Sequence, residues 1–155
     1  MPRYLAFLHG INLGKRRIKM PALQAIFEQL PVREVSTFIA SGNVIFASRQ
    51  TNARRLETQL SAHLQSALGY PVGVTLRTPT ELAAIVANAP LGELWADAPD
   101  SRTQVSLHAT RIPPADAKVL EACRTPIDAF AVIDREVYWR CAGKITDSTV
   151  WKSPE

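Results

Sequence analysis

Two short stretches of the chain carry residue types that can hold a charged group. The first runs His9-Gly10-Ile11-Asn12-Leu13-Gly14-Lys15-Arg16-Arg17, between an apolar run and a predicted helix at Pro21. The second, Ser41-Gly42-Asn43, is a small polar turn between two strand-like runs. Glycine lets backbone approach a ligand closely, and lysine and arginine supply charge. A helix N-terminus adds unpaired N–H groups and a partial positive dipole. The chemistry that suits this combination is the binding of an anion, such as a phosphate group. The candidate ligand-binding residues are therefore His9, Gly10, Asn12, Gly14, Lys15, Arg16, Arg17, Ser41, Gly42 and Asn43. Taken one at a time, each also has a plainer reading as a surface cation or a loop-forming glycine or asparagine.

The first stretch is not a Walker A loop. Gly10-x-x-x-Gly14-Lys15 is one residue short, and Arg16 stands where a magnesium-binding Ser or Thr is required. Other constellations are weak. His9, His63 and His108 are scattered, and neither a G-x-S-x-G elbow nor an H-E-x-x-H pair occurs. Asp134 and Glu136 fall at a predicted hairpin turn, where solvated carboxylates are expected. Cys123 and Cys141 lack metal or redox spacing and read as reduced, half-buried thiols. The sequence therefore indicates no metal, no cofactor and no catalytic residue, and leaves open whether there is catalysis at all.

These residues need elements to position them. "RYLAFLHG" reads as a strand with both alternating sets largely apolar, so both of its faces should be covered. Leu23, Ile26, Phe27 and Leu30 form one helical stripe, with Pro21 in its first turn and Pro31 at its end. "VREVSTFIA" and "NVIFAS" are strands on either side of Ser41-Gly42-Asn43. Thr51 or Asn52 caps a helix whose Leu56, Leu60, Leu64 and Ala67 share a face, and Gly69 ends it. "PVGVTLRT" has one apolar side, Val72/Val74/Leu76, which suits an edge strand. Thr78-Pro79-Thr80-Glu81 is a capping box. The order strand, helix, strand, strand, helix, strand is the ferredoxin-like βαββαβ pattern, with strand order 4-1-3-2 and both helices on one face. In that topology the end of strand one, the Ser41–Asn43 turn, the start of the first helix and the segment near Tyr70 all emerge at one sheet edge.

Residues 88 to 104 are rich in Pro, Gly and Asp and mark a connection. Beyond it "VSLHAT", "PPADAKVLEAC" and "DAFAVIDREVYWRCAG" read as strand, helix and hairpin. The predicted fold class is α+β: a ferredoxin-like half over 1–87, a connection over 88–104, and a smaller βαββ half over 105–155 packed on the open sheet face. That second half echoes the βαββ start of the first, which suggests a structural duplication. Trp95, Trp139 and Trp151 are expected to fill the interface between the halves.

"RYLAFLHGINLG", "IKMPALQAIFEQL", "VREVSTFIASGNVIF" and "GKITDSTVWKSPE" together resemble the bacterial family called domain of unknown function 1697. The resemblance covers nearly the whole chain and implies an α+β protein with a ferredoxin-like first half; it implies no activity. This chain has His9 where the family typically carries arginine. It also ends at Glu155, where many relatives continue with a basic segment, so part of a shared site is expected to be missing if that tail contributes.

The charge is uneven. Residues 1 to 87 hold ten Lys/Arg and four Asp/Glu, a net of +6, and residues 88 to 155 hold eight and ten, a net of −2. The first half therefore suits an anionic partner. Nucleic acid is expected to bind at most weakly and non-specifically, because spaced RNP1-type aromatics are absent. An interaction or homo-oligomeric role is the third reading, with monomer and dimer both open. No apolar run can span a bilayer and no secretory leader is evident, which predicts a cytoplasmic protein with no membrane partner.

Overall fold

Strand β1 (Arg3–His9) is central in a four-stranded antiparallel sheet, with β3 (Asn43–Ser48) on one side and β4 (Gly73–Arg77) on the other. β2 (Val32–Phe38) pairs outside β3, so the order is β2-β3-β1-β4, the predicted 4-1-3-2 arrangement. The computed structural model describes residues 1–39 and 42–150. Ser41, a candidate ligand residue, and Trp151 lie outside the described residues, as does the end of the run predicted as strand two.

Helices α1 (Met20–Glu28) and α2 (Ala53–Leu68) cover one face of this sheet. The period-two alternation of β1 sends Tyr4, Ala6 and Leu8 into that core, at 8% exposure or less. There they meet Val44 and Phe46 of β3, Val74 and Leu76 of β4, Leu23 and Phe27 of α1, and Leu56, Leu60 and Leu64 of α2. Of the predicted stripe on α2, Ala67 is exposed; Leu68 packs against the core instead. Asn52 is the cap, its Oδ1 accepting the Arg55 N–H at 3.0 Å, and Gly69 closes the helix at φ 77°. The capping box of α3 (Pro79–Asn88) forms as predicted, with Thr78 Oγ1 accepting the Glu81 N–H and Glu81 Oε2 accepting the Thr78 N–H.

The other sheet face departs from the pattern of the sequence. Leu5 and Phe7 of β1 are only half-buried, whereas Thr75 and Arg77 of β4 are 4% and 1% exposed. Polar groups are tolerated there because they are bonded: Thr75 Oγ1 meets His9 Nε2 at 2.9 Å, and the Arg77 guanidinium donates to the Leu76 carbonyl at 2.7 Å.

The chain divides into two compact units, Met1–Ala84 and the residues from Ile85 on, with the division inside α3. The second unit contains β5 (Arg102–Leu107), α4 (Pro114–Ala122), β6 (Asp128–Ile133) and β7 (Glu136–Cys141), in a sheet of order β5-β7-β6. β5 begins three residues before the predicted 105, because Arg102, Thr103 and Gln104 pair with Cys141, Arg140 and Trp139. Pairing with β7, not side-chain hydropathy, sets its start, and His108 falls just outside the strand. The βαββ connectivity and its strand order repeat those of β1-α1-β2-β3, as the duplication idea requires.

Three expectations about side chains are corrected here. Trp139 belongs to the core of the second unit, stacked on Phe130 with ring centroids 6.3 Å apart. Glu136 is 7% exposed, so only Asp134 is a solvated carboxylate, in a two-residue turn where its own φ is 51°. The cysteines are not both half-buried: Cys123 is exposed, and Cys141 is buried, where desolvation raises its thiol pKa and keeps it protonated.

Candidate functional site

β1 ends where Gly10 turns the chain at φ 79°, a conformation costly for residues with a Cβ. Ile11 then drops back into the core at 2% exposure and fixes the base of the loop. From there the segment closes on itself. Asn12 Oδ1 accepts the Ile18 N–H at 2.9 Å, and the Arg16 N–H bonds the Leu13 carbonyl at 2.9 Å across Gly14, whose φ is 58°. The loop thus brings Lys15, Arg16, Arg17 and Lys19 to the start of α1, all exposed.

Tyr70, just past α2, anchors this loop from the side. Its hydroxyl donates to the Ile11 carbonyl at 3.0 Å, and its ring lies under the Arg16 guanidinium, 4.4 Å from the centroid. Such a cation–π contact orients a charge without neutralising it. Arg17 is also oriented, donating to the carbonyls of Asn12 and Arg16 at 3.3 and 2.7 Å. Among the described residues no carboxylate pairs with Lys15, Arg16, Arg17 or Lys19. Lys19 occupies the N-cap of α1 without a side-chain cap bond, and the first turn holds no acidic residue. The positive end of that helix is therefore not neutralised from within.

The second stretch meets the first at Gly42. A Cβ built there would lie 2.6 Å from Ile11 Cγ2 and 3.4 Å from Leu8 Cβ, so the turn rests directly on the base of the loop. Gly42 also adopts φ 89°. Asn43 starts β3 opposite Phe7. Of the candidate residues, Gly10, Asn12, Gly14, Lys15, Arg16, Arg17, Gly42 and Asn43 thus cluster at one end of the sheet. His9 does not join them: the strand alternation turns it to the face opposite α1 and α2, bonded to Thr75.

Two features of this end were not read from the sequence. The sequence marks Tyr70 only as a neighbour of this edge, although a tyrosine directly after a helix-ending glycine is a usable signal. Leu13 in the loop and Phe38 and Ile39 at the end of β2 are large apolar residues at 64%, 60% and 59% exposure. Their exposure depends on neighbours that a one-dimensional pattern does not contain. Among the described residues no group of three His, Cys, Asp or Glu could hold a metal ion.

The family described as protein of unknown function (DUF1697) matches residues 1–138. The chain belongs to this family. This DUF1697 chain is also similar to a solved structure, the conserved bacterial protein SP0830 from Streptococcus pneumoniae, at 19% identity and a TM-score of 0.72. That match covers 99% of this chain and 87% of the other, and it shows a shared α+β fold. No curated protein matches the DUF1697 chain. Among the described residues no helix is long and apolar enough to cross a membrane.

Proposed function

We propose that this DUF1697 protein, read as a cytoplasmic bacterial protein, binds a small anionic or phosphorylated molecule between the 10–19 loop and the Gly42–Asn43 turn. The observation that carries the reading is the packing of Gly42 on Ile11 beside four exposed cations that have no carboxylate partner among the described residues. In this reading Lys15, whose ammonium no described residue engages, supplies mobile charge, and Arg16, stacked on Tyr70, supplies oriented charge. Backbone N–H groups between Gly10 and Gly14 and at the start of α1 give direction. Asn12 serves mainly as a brace, since its Oδ1 is bonded to Ile18. The sheet around β1 is antiparallel, which supports anion binding over a P-loop nucleotidase built on parallel strands.

Each solvent-exposed cation paired with a bound anion contributes about 0.2–1 kcal/mol, so no single lysine should dominate. Millimolar phosphate, nucleotides or sugar phosphates should raise the melting temperature of the wild type. The triple change K15A/R16A/R17A should abolish the rise while leaving the far-UV circular dichroism intact. Unchanged melting of the wild type with every anion tested would remove the proposal.

A further inference from the structure

A groove of about 560 Å³ lies at the opposite end of the first sheet from the 10–19 loop. α1 ends at Glu28 and α2 begins at Ala53, and between these two ends the β2–β3 edge of the helix-covered face is left open. Leu30, Val32, Leu56 and Ala62 give the groove an apolar lining. Its volume is within the roughly 300–1,000 Å³ of small-molecule sites. Two polar features break the apolar lining. Arg49 is the one ionisable residue among those that line it, and among the described residues no carboxylate pairs with it. Ser48 is 3% exposed; its Oγ accepts the Gln50 N–H at 3.1 Å, and among the described residues its own proton has no acceptor. A buried hydroxyl with an unused donor beside an arginine is matched by a ligand that brings acceptor oxygens and negative charge. α2 starts three residues past Gln50 with no acidic residue in its first turn, which adds its positive end to the same neighbourhood.

We propose that this groove binds a medium-chain carboxylic acid, with the alkyl chain along Leu30, Val32, Leu56 and Ala62 and the carboxylate at Arg49 and Ser48. The chain satisfies the apolar lining, and the carboxylate accepts from the hydroxyl and pairs with the guanidinium. The site is independent of the anion loop, being formed by other residues at the other end of the sheet.

The test is titration of the full chain with octanoate, octanol and acetate, read by calorimetry and by melting temperature. Octanoate should bind saturably, octanol about tenfold more weakly, and acetate not at all. Arg49→Ala should bring octanoate down to the affinity of octanol. Ala62→Phe, on an exposed position of α2, should fill the groove and abolish both without altering the far-UV circular dichroism. The variant K15A/R16A/R17A should bind octanoate as the wild type does. Absence of octanoate binding to the wild type overturns the proposal, as does octanoate binding that neither Arg49→Ala nor Ala62→Phe weakens. A concentration-dependent doubling of mass that Ala62→Phe removes would assign the groove to a second copy of the chain and equally overturn it.

Discussion

At Gly42 a methyl group has nowhere to go: its Cβ would sit 2.6 Å from Ile11 Cγ2, and the backbone holds φ 89°. Strain and overpacking therefore act at the same residue, and Gly42→Val should lower stability by about 2–5 kcal/mol. Gly14 is the internal control, because at φ 58° a Cβ there would meet nothing within 4 Å. Gly14→Ala should cost only the left-handed backbone penalty, about 1–2 kcal/mol. Urea unfolding of both variants measures the difference, and Gly42→Val should be the more damaging. Equal losses would mean that the turn does not rest on the loop, and the anion reading would lose its central observation.

One buried carboxylate ties the start of β6 to β7. Asp128 is 0% exposed and accepts from Thr125 Oγ1 at 2.5 Å and Trp139 Nε1 at 2.9 Å. Burial pushes its pKa up, but hydrogen bonds from Thr125, Trp139, Ser148 and Cys141 outweigh this and hold it below the ordinary carboxylate value. A depressed folded pKa means that the unfolded chain takes up the proton first. The stabilising contribution is therefore present above the unfolded carboxylate pKa and is lost as pH falls through the folded one. Asp128→Asn presents an amide N–H₂ to the same donors, which should cost about 1–3 kcal/mol at neutral pH. Urea midpoints at pH 7 and below the ordinary carboxylate range should show the gap between variant and wild type narrowing on acidification. A gap of constant size would assign the loss to packing instead of charge.

Across the whole molecule, the +6 on residues 1–87 against −2 on residues 88–155 leaves nucleic acid as a rival partner. On the face opposite α1 and α2, Phe7, Asn43 and Phe38 form one row across β1, β3 and β2. Phe38 is 60% exposed and Phe7 half-buried, so one aromatic ring of this row is largely exposed. A stacked base contributes about 1–3 kcal/mol, and a single platform cannot give tight binding. The remaining attraction comes from exposed loop cations and is screened by salt. Filter binding with single-stranded DNA or RNA at physiological salt should give affinities weaker than micromolar, falling steeply as salt rises. Sub-micromolar binding would make nucleic acid the better reading of the same cations.

Local chemistry made much of the first unit legible. Strand β3 runs from Asn43 to Ser48 as its hydropathy predicts, and Asn52, Gly69 and the Thr78/Glu81 box bound their helices. Caps, turns and apolar periodicity act between residues a few positions apart, so one dimension records them. The same local reasoning assembled the candidate loop and its turn, because ferredoxin-like connectivity returns both to one sheet edge. What the tertiary structure alone decided depends on neighbours distant in the chain. β5 starts at Arg102 because β7 pairs with it, and Glu136 is buried although it adjoins a hairpin turn. His9 is turned from the loop toward Thr75, sixty-six positions away, while Tyr70 reaches back fifty-nine to hold Ile11. The groove at Ser48 and Arg49 exists only because two helix ends diverge over a sheet edge, a property of packing that residue order does not contain.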